Sequence, residues 1–279
     1  MVIKEVLSKA ISALKNADNE NPVFEAHLIL REILNLTPID LVLKGDMEVL
    51  AEKENLIKDA IKRRISHEPL QYILKSQEFM GLSFYVDENV LVPRQDTEVL
   101  VETILEKMKN KPFSALDIGT GSGCIALTLA HYNKNALVRG IDISPGAIKV
   151  SKKNAKDLKL EEKVTFEKQD VFKLDAYGKY DVIVSNPPYI ETDVIKTLSK
   201  DVKDFEPLRA LDGGEDGLEF YRHIVKISPR LLTKSGILAF EVGHTQAESV
   251  KKLMENDFSK IEIIKDLCGI ERVVLGCLK

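Results

Sequence analysis

The chain has no run approaching the roughly 18 apolar residues that a membrane span needs, so no membrane partner is expected. Its first fifteen residues alternate apolar and charged side chains at helical spacing, unlike the apolar core of a secretory signal. Cysteine is scarce. Cys124, Cys268 and Cys277 are an odd count at irregular spacing, which argues against a disulfide framework or a zinc site and places the protein in the reducing cytoplasm. His27, His67, His131, His223 and His244 are scattered without ligand spacing, so no metal site is expected. There is no large charge imbalance either: a net charge of -4 gives no global pull toward nucleic acid. In the first 66 residues basic and acidic side chains nearly cancel, which excludes a basic DNA-docking module. Internal repeats and low-complexity tracts are absent.

What is present is a folded, soluble composition, 44% hydrophobic and 30% charged, in 279 residues, long enough for two domains. Helical periodicity covers 2–14, 21–34 and 46–65, with Asn21-Pro22 as a start signal, Asn as N-cap and Pro in the first turn. Lys62-Arg63-Arg64 closes the last of these helices, where basic side chains complement the helix dipole. Residues 1–75 are therefore expected to form a helical domain that docks substrate. Within 76–95, apolar runs at 82–86 and 89–92 flank Asp87-Glu88 and suggest a β-hairpin linker. From residue 96 to 279, helix and strand patterns alternate as βαβ units. Strands are expected at 114–118, 137–141, 163–167, 180–185, 237–242, 261–264 and 272–276, the last two as an antiparallel closing pair around Gly269. That is an α/β fold: a seven-stranded Rossmann-like sheet of the methyltransferase kind, with a small helical N-terminal domain.

Asp117-Ile118-Gly119-Thr120-Gly121-Ser122-Gly123 follows an apolar strand and opens a helix at 124–130. Alternate glycines allow a sharp turn and close ligand approach, and the helix N-terminus offers free N–H groups to a carboxylate. The loop alone is ambiguous, since Gly121 to Ala126 also fits a dinucleotide fingerprint. Asp117 favours S-adenosyl-L-methionine, because its carboxylate suits the ammonium of a methionine moiety, which a dinucleotide lacks. Asp142, about 20 residues past the glycines, stands where a carboxylate holds ribose hydroxyls. Asp170 is placed to accept from an adenine amino group, with Val171 against the base; a simple N-cap reading of Asp170 stands beside that one. Asn186 is counted with this cofactor set as well as with the acceptor loop.

That loop is Asn186-Pro187-Pro188-Tyr189, after the buried run 181–185. Two prolines delete two N–H donors, so the loop presents oxygen acceptors, including the Asn186 amide oxygen. An NH2 group can donate both hydrogens there, which aims its nitrogen and opposes delocalisation of its lone pair, while Tyr189 lies over a planar acceptor. Asn186, Pro187 and Tyr189 are the expected catalytic residues, and Pro188 joins them in binding substrate. Orientation supplies most of such catalysis.

With these residues in view the sequence resembles the protein-(glutamine-N5) methyltransferases that modify peptide chain release factors. The resemblance runs through Glu68-Pro69-Leu70-Gln71-Tyr72, Glu78-Phe79-Met80-Gly81, Pro93-Arg94-Gln95-Asp96-Thr97-Glu98 and the Asn186 to Tyr189 motif. It continues through Glu206-Pro207, Ala210-Leu211-Asp212-Gly213-Gly214-Glu215-Asp216-Gly217-Leu218, Tyr221, Glu241-Val242-Gly243 with Gln246, and Asp266 to Gly269 with Arg272. Gln95-Asp96 stand where the family usually has Pro-Glu, and Val171 where an aromatic is common. The resemblance implies a release factor as protein partner, methylated on the glutamine of its Gly-Gly-Gln motif. Some relatives act on a ribosomal protein instead. Two further alternatives are an adenine-N6 nucleic-acid methyltransferase, which uses the same acceptor logic on a flipped base, and a non-catalytic cofactor-binding module.

Overall fold

The computed structural model describes residues 1–109, 111–174 and 179–279. Five helices come first: α1 (Ile3–Asn16), α2 (Pro22–Leu34), α3 (Pro38–Leu43), α4 (Ala51–Ile65) and α5 (Leu70–Leu74). A hairpin follows, β1 (Gln77–Phe79) and β2 (Leu82–Phe84), then α6 (Glu98–Met108), β3 (Phe113–Ile118), α7 (Cys124–Tyr132), β4 (Ala136–Asp142), α8 (Pro145–Asp157) and β5 (Val164–Lys168). After β6 (Tyr180–Ser185) come α9 (Lys200–Lys203), α10 (Glu219–Leu231), β7 (Leu232–Glu241), α11 (Ala247–Met254), β8 (Phe258–Lys265) and β9 (Glu271–Leu278).

Two compact units result: Met1–Lys75 together with Lys200–Phe205, and Ser76–Ser199 together with Glu206–Lys279. The first is built on helix periodicity. Ile3, Val6, Ala10 and Leu14 form one buried stripe of α1 and join Ala26, Ile29 and Leu30 of α2 and Ile57, Ala60 and Ile61 of α4. Asn21 does sit at the N-cap of α2 with Pro22 behind it, but its side chain makes no capping bond. The basic end of α4 is held by more than a dipole, since Arg64 pairs with Glu25 of α2 at 2.7 Å. Helix α3 was not expected from periodicity. It is a single six-residue segment started by Thr37, whose hydroxyl accepts from the Asp40 amide.

The second unit carries a seven-stranded sheet in the order β5-β4-β3-β6-β7-β9-β8, parallel except for β9, which runs antiparallel to both its neighbours. Alternate residues of each strand feed opposite cores. Ala115, Val182, Val184, Ala239 and Val273 pack with α6 and α7, whereas Leu116, Ile183, Leu238, Phe240 and Val274 pack with α10 and α11. The chain reverses its direction of travel across the sheet at β3, with β4 on one side and β6 on the other. A crevice at the carboxyl ends of these strands is where doubly wound sheets bind ligands.

The hairpin lies earlier than the sequence suggested. It joins 77–79 to 82–84 through Met80-Gly81, both at positive φ, while 89–92 is not a strand. Part of the reason is local. Asp87 Oδ1 accepts from the backbone and side-chain nitrogens of Asn89, making a turn. The Tyr85 backbone is paired by the Asn154 amide (2.7 and 3.0 Å), which takes the place of a partner strand. Among the described residues no helix is long and apolar enough to cross a membrane, and no cluster of three His, Cys, Asp or Glu is placed to hold a metal ion.

Candidate active site

A cavity of about 590 Å³ opens at the carboxyl ends of β3, β4 and β6. Gly119 and Gly121, Asp142, Asp170 and Val171, and Asn186, Pro187 and Pro188 all line it. Residues far apart in sequence thus meet in one volume of the size that encloses a small cofactor. Asp117, Thr120, Ser122, Gly123 and Tyr189 are not among the residues that line it.

The wall starts where β3 ends. The Gly119 and Thr120 amides both donate to the Ile141 carbonyl of β4, at 2.9 and 3.0 Å, which folds the loop over the strand tips. At Gly119, φ is +75° and a Cβ would meet nothing within 4 Å, so the glycine serves the turn and leaves open space above it. Asp117 lies beneath, with no exposed surface. Its Oδ2 accepts from Thr120 Oγ1 at 2.6 Å, while Oδ1 has no partner. Burial pushes its carboxyl up to about 7, against the lowering effect of the Thr120 bond. Asp142 accepts from the Gly121 amide (3.0 Å) and the Ser144 amide (2.8 Å), each oxygen keeping a lone pair for a ligand; burial raises its pKa as well. Asp170 both lines the cavity and caps a short 3-10 turn by accepting from the Phe172 amide at 3.0 Å, so the two readings of it are compatible.

At the other wall, Ser185 Oγ donates to the Ile118 carbonyl at 2.7 Å and locks the end of β6 to the end of β3. Asn186 Nδ2 donates to Thr97 Oγ1 at 3.2 Å. Tyr189 is half-buried, and burial with the nearby Glu241 charge pushes its hydroxyl up to about 12. The loop is braced from behind. Ile190 and Thr192 donate their amides to Leu211 and Gly214, Gly213 donates back to Ile190, and Gln246 Nε2 donates to the Tyr189 carbonyl at 2.9 Å. Other residues that carried the family resemblance also hold one another. Arg94 pairs with both oxygens of the buried Glu206 carboxylate, Arg272 pairs with Asp96 (2.7 Å) and Asp266 (3.1 Å), and Tyr221 donates to the Glu241 carbonyl.

Several lining residues escaped sequence reasoning: Asn89, Leu91, Ile143, Phe172, Arg209 and Phe220. Phe172 alone carried a signal. It is an aromatic directly after Asp170-Val171, and it packs edge-on against Phe220 with ring centroids 5.3 Å apart. Phe220 comes from the first turn of α10, and the others come from irregular segments and a 3-10 turn whose approach depends on tertiary structure.

Comparison with known proteins agrees with this geometry. Residues 109–273 match a family described as "Methyltransferase domain", and residues 5–74 match "PrmC N-terminal domain". A release factor glutamine methyltransferase from Clostridium acetobutylicum is 43% identical over 99% of this chain and 98% of its own length. One of the same name from Bacillus anthracis is 39% identical over 99% of both chains. Among solved structures, a methyltransferase from Pyrococcus furiosus matches with a TM-score of 0.54 at 18% identity, covering 82% of this chain and 99% of its own, a likeness of fold. With its two matched regions and its near full-length similarity, the chain belongs to the family of release factor glutamine methyltransferases.

Proposed function

We propose that this chain transfers a methyl group from S-adenosyl-L-methionine to the side-chain amide nitrogen of the glutamine in the Gly-Gly-Gln motif of peptide chain release factors. The observation that carries this reading is one cavity bordered by two chemically different walls. Asp142 and Asp170 line one side, with the unpartnered buried carboxylate oxygen of Asp117 beneath the glycine loop. On the other stands a loop whose two prolines leave it with oxygen acceptors.

These residues fit the cofactor. The Asp117 carboxylate suits an ammonium, Asp142 suits ribose hydroxyls, and Asp170 and Val171 suit an adenine edge and face. When bound, S-adenosyl-L-methionine supplies a methyl group already activated on a sulfonium. The chain's part is to orient. Asn186 Oδ1 and the backbone carbonyls of the proline loop accept the two N–H bonds of the substrate amide, and Tyr189 covers its plane. With that group bound, the aimed nitrogen would take the methyl group as its bond to sulfur is given up, and the proton would leave to water, since a methylated amide cation is strongly acidic. No general base is needed.

Incubating the protein with labelled S-adenosyl-L-methionine and a release factor, a ribosomal protein, DNA or RNA, then mapping the label by mass spectrometry, tests the substrate. Label on the release-factor glutamine is expected; label only on another partner overturns the reading. The helical unit is the part we assign to docking the protein substrate, in the cytoplasm. Val42 and Leu43 of α3 are strongly exposed apolar residues there. Leu43→Glu is expected to raise KM for intact release factor severalfold and to leave methylation of a short Gly-Gly-Gln peptide unchanged. Equal effects on both substrates would remove the docking role.

Two further results are expected at the cofactor wall. Asp142→Ala loses charge-assisted hydrogen bonds worth about 1.5–3 kcal/mol, which is roughly a 10- to 150-fold rise in Kd for S-adenosyl-L-methionine. An unchanged calorimetric affinity would end that assignment. Asp117 gives a pH signature. Its folded pKa is raised from 3.8 to about 7, so the apo protein loses stability as pH rises between those values. A bound cation favours the ionised form, so cofactor affinity rises with pH up to about 7 and levels off above it. Calorimetry near pH 6.5 should record proton release on binding, and Asp117→Asn should abolish both the release and the pH dependence.

A further inference from the structure

Glu241 is the last residue of β7, and Asn186 follows the last residue of the parallel neighbour β6, whose Ser185 is in register with Phe240. The two side chains therefore emerge side by side, Asn186 lining the cavity and Glu241 buried beside it. Glu241 is 2% exposed, and its Oε2 has no hydrogen-bond partner. Around the carboxylate stand two donors, the Thr97 hydroxyl and the Asn186 amide. Asn186 Nδ2 also donates to Thr97 Oγ1. Arg272, on the adjacent β9, is engaged by Asp96 and Asp266 instead. A buried acid costs stability in a protein interior, so its retention next to the acceptor loop calls for a use.

We propose that Glu241 is a positioning residue of the acceptor site: together with Thr97 it holds the Nδ2 end of the Asn186 amide, so that Oδ1 is the end presented to the substrate NH2. The inference rests on the assignment of Asn186 as substrate acceptor. An asparagine amide has two ends of nearly the same shape and opposite hydrogen-bonding character. Rotated by half a turn, Asn186 would set its own NH2 against the substrate NH2 and its oxygen against a carboxylate. Both contacts are repulsive. With Glu241 ionised, only one orientation is favourable, and the negative charge behind Nδ2 polarises the amide so that Oδ1 accepts more strongly.

The groups facing Glu241 are Asp96, Arg272 from β9, Tyr189, Tyr221 from α10 and Cys124 from α7. Burial lifts the tyrosines and Cys124 above their ordinary values, to about 12 for Tyr189 and Cys124, and Asp96 is paired with Arg272. Burial also pushes Glu241 up to about 7. At saturating cofactor, kcat should therefore fall on the acid side of about pH 7, because a protonated Glu241 offers a donor as well as an acceptor and no longer selects one end of the Asn186 amide.

Glu241→Gln keeps the shape and removes the charge. We expect kcat to fall about 10–100-fold, in the range of outer supports that orient a functional ligand, with KM and cofactor affinity little changed and the acid limb of the kcat profile gone. A merely structural role would not predict the exchange experiment. Asn186→Asp alone sets two carboxylates against each other; adding Glu241→Gln restores a donor–acceptor pair in reversed order and leaves one oxygen of the introduced carboxylate for the substrate. The double variant should therefore exceed Asn186→Asp by about tenfold, the size of a coupling of roughly 1.4 kcal/mol. Thr97→Val, which removes one hydroxyl at nearly constant volume, should lower kcat severalfold and carries the test if Glu241→Gln does not fold. Unaltered kcat and pH profile in Glu241→Gln, or in its place unaltered kcat in Thr97→Val, overturns the proposal, as does a double variant no better than Asn186→Asp. A dead Asn186→Ala alongside a normal Glu241→Gln would remove this inference and leave the acceptor assignment standing. A near-normal Asn186→Ala would remove both.

Discussion

Asn186→Ala is expected to lower the rate of glutamine methylation about 100–1000-fold, the usual effect of deleting one preorganised hydrogen bond from a reaction site. Pro187 and Pro188 have no N–H, and Asn186 carries the only side-chain carbonyl in the motif. Removing it leaves one substrate N–H without its acceptor, and the nitrogen is no longer aimed. The loss should appear in kcat, because the contact matters most when the lone pair is turned toward the methyl group. Cofactor affinity should change far less, since Asp142 and Asp170 line the cavity from β4 and from the turn after β5. Single-turnover rates and calorimetric cofactor affinity, measured on the same preparation, separate these effects. Near-normal methylation by Asn186→Ala would force the acceptor mechanism to be abandoned.

Much of the fold is legible in the sequence because its signals are local. Apolar strand runs such as 180–185, the glycine loop and the strand-end Asp142 each declare themselves within a few residues, and the order of βαβ units fixes the rest. The hairpin departs from the sequence expectation for a non-local reason. The run 89–92 has the composition of a strand, yet Asn154, 69 residues downstream of Tyr85, supplies the pairing that composition assigned to a neighbour. The candidate site divides in the same way. Asn186 was visible through its prolines, but the groups that hold its amide were not, because Thr97 lies 89 residues away. The side chain of Gln246 reaches 57 residues back to Tyr189. Such contacts are fixed by strand order, and no periodicity encodes them. Asp117 is the instructive middle case: its sequence position marked it as a ligand candidate, while its complete burial and unpartnered oxygen emerge only from the packed sheet.

Gly217→Val should disable the enzyme without touching the cofactor wall. Gly217 has φ +67°, and a Cβ there would meet the Tyr189 carbonyl oxygen at 2.3 Å and Gln246 Nε2 at 2.6 Å. The first of these is backbone and cannot swing aside. A β-branched residue in left-handed backbone adds about 1–2 kcal/mol of its own strain. The least costly escape moves the 213–217 segment off the proline loop and breaks the Gln246 bonds to Tyr189 and Gly217. Displacing reacting groups by about 1 Å is worth on the order of 100-fold in rate, so kcat should drop at least that far, with cofactor Kd within about threefold because no new contact reaches Asp142. Gly269→Val supplies the control. It has the same kind of backbone, φ +81°, in the turn between β8 and β9, and nothing lies within 4 Å of its Cβ position. Its thermal stability should fall by a similar strain while turnover stays near normal. If the two variants lose activity equally, strain rather than displacement of the acceptor loop is responsible; if Gly217→Val turns over normally, the brace behind Tyr189 has no part in catalysis.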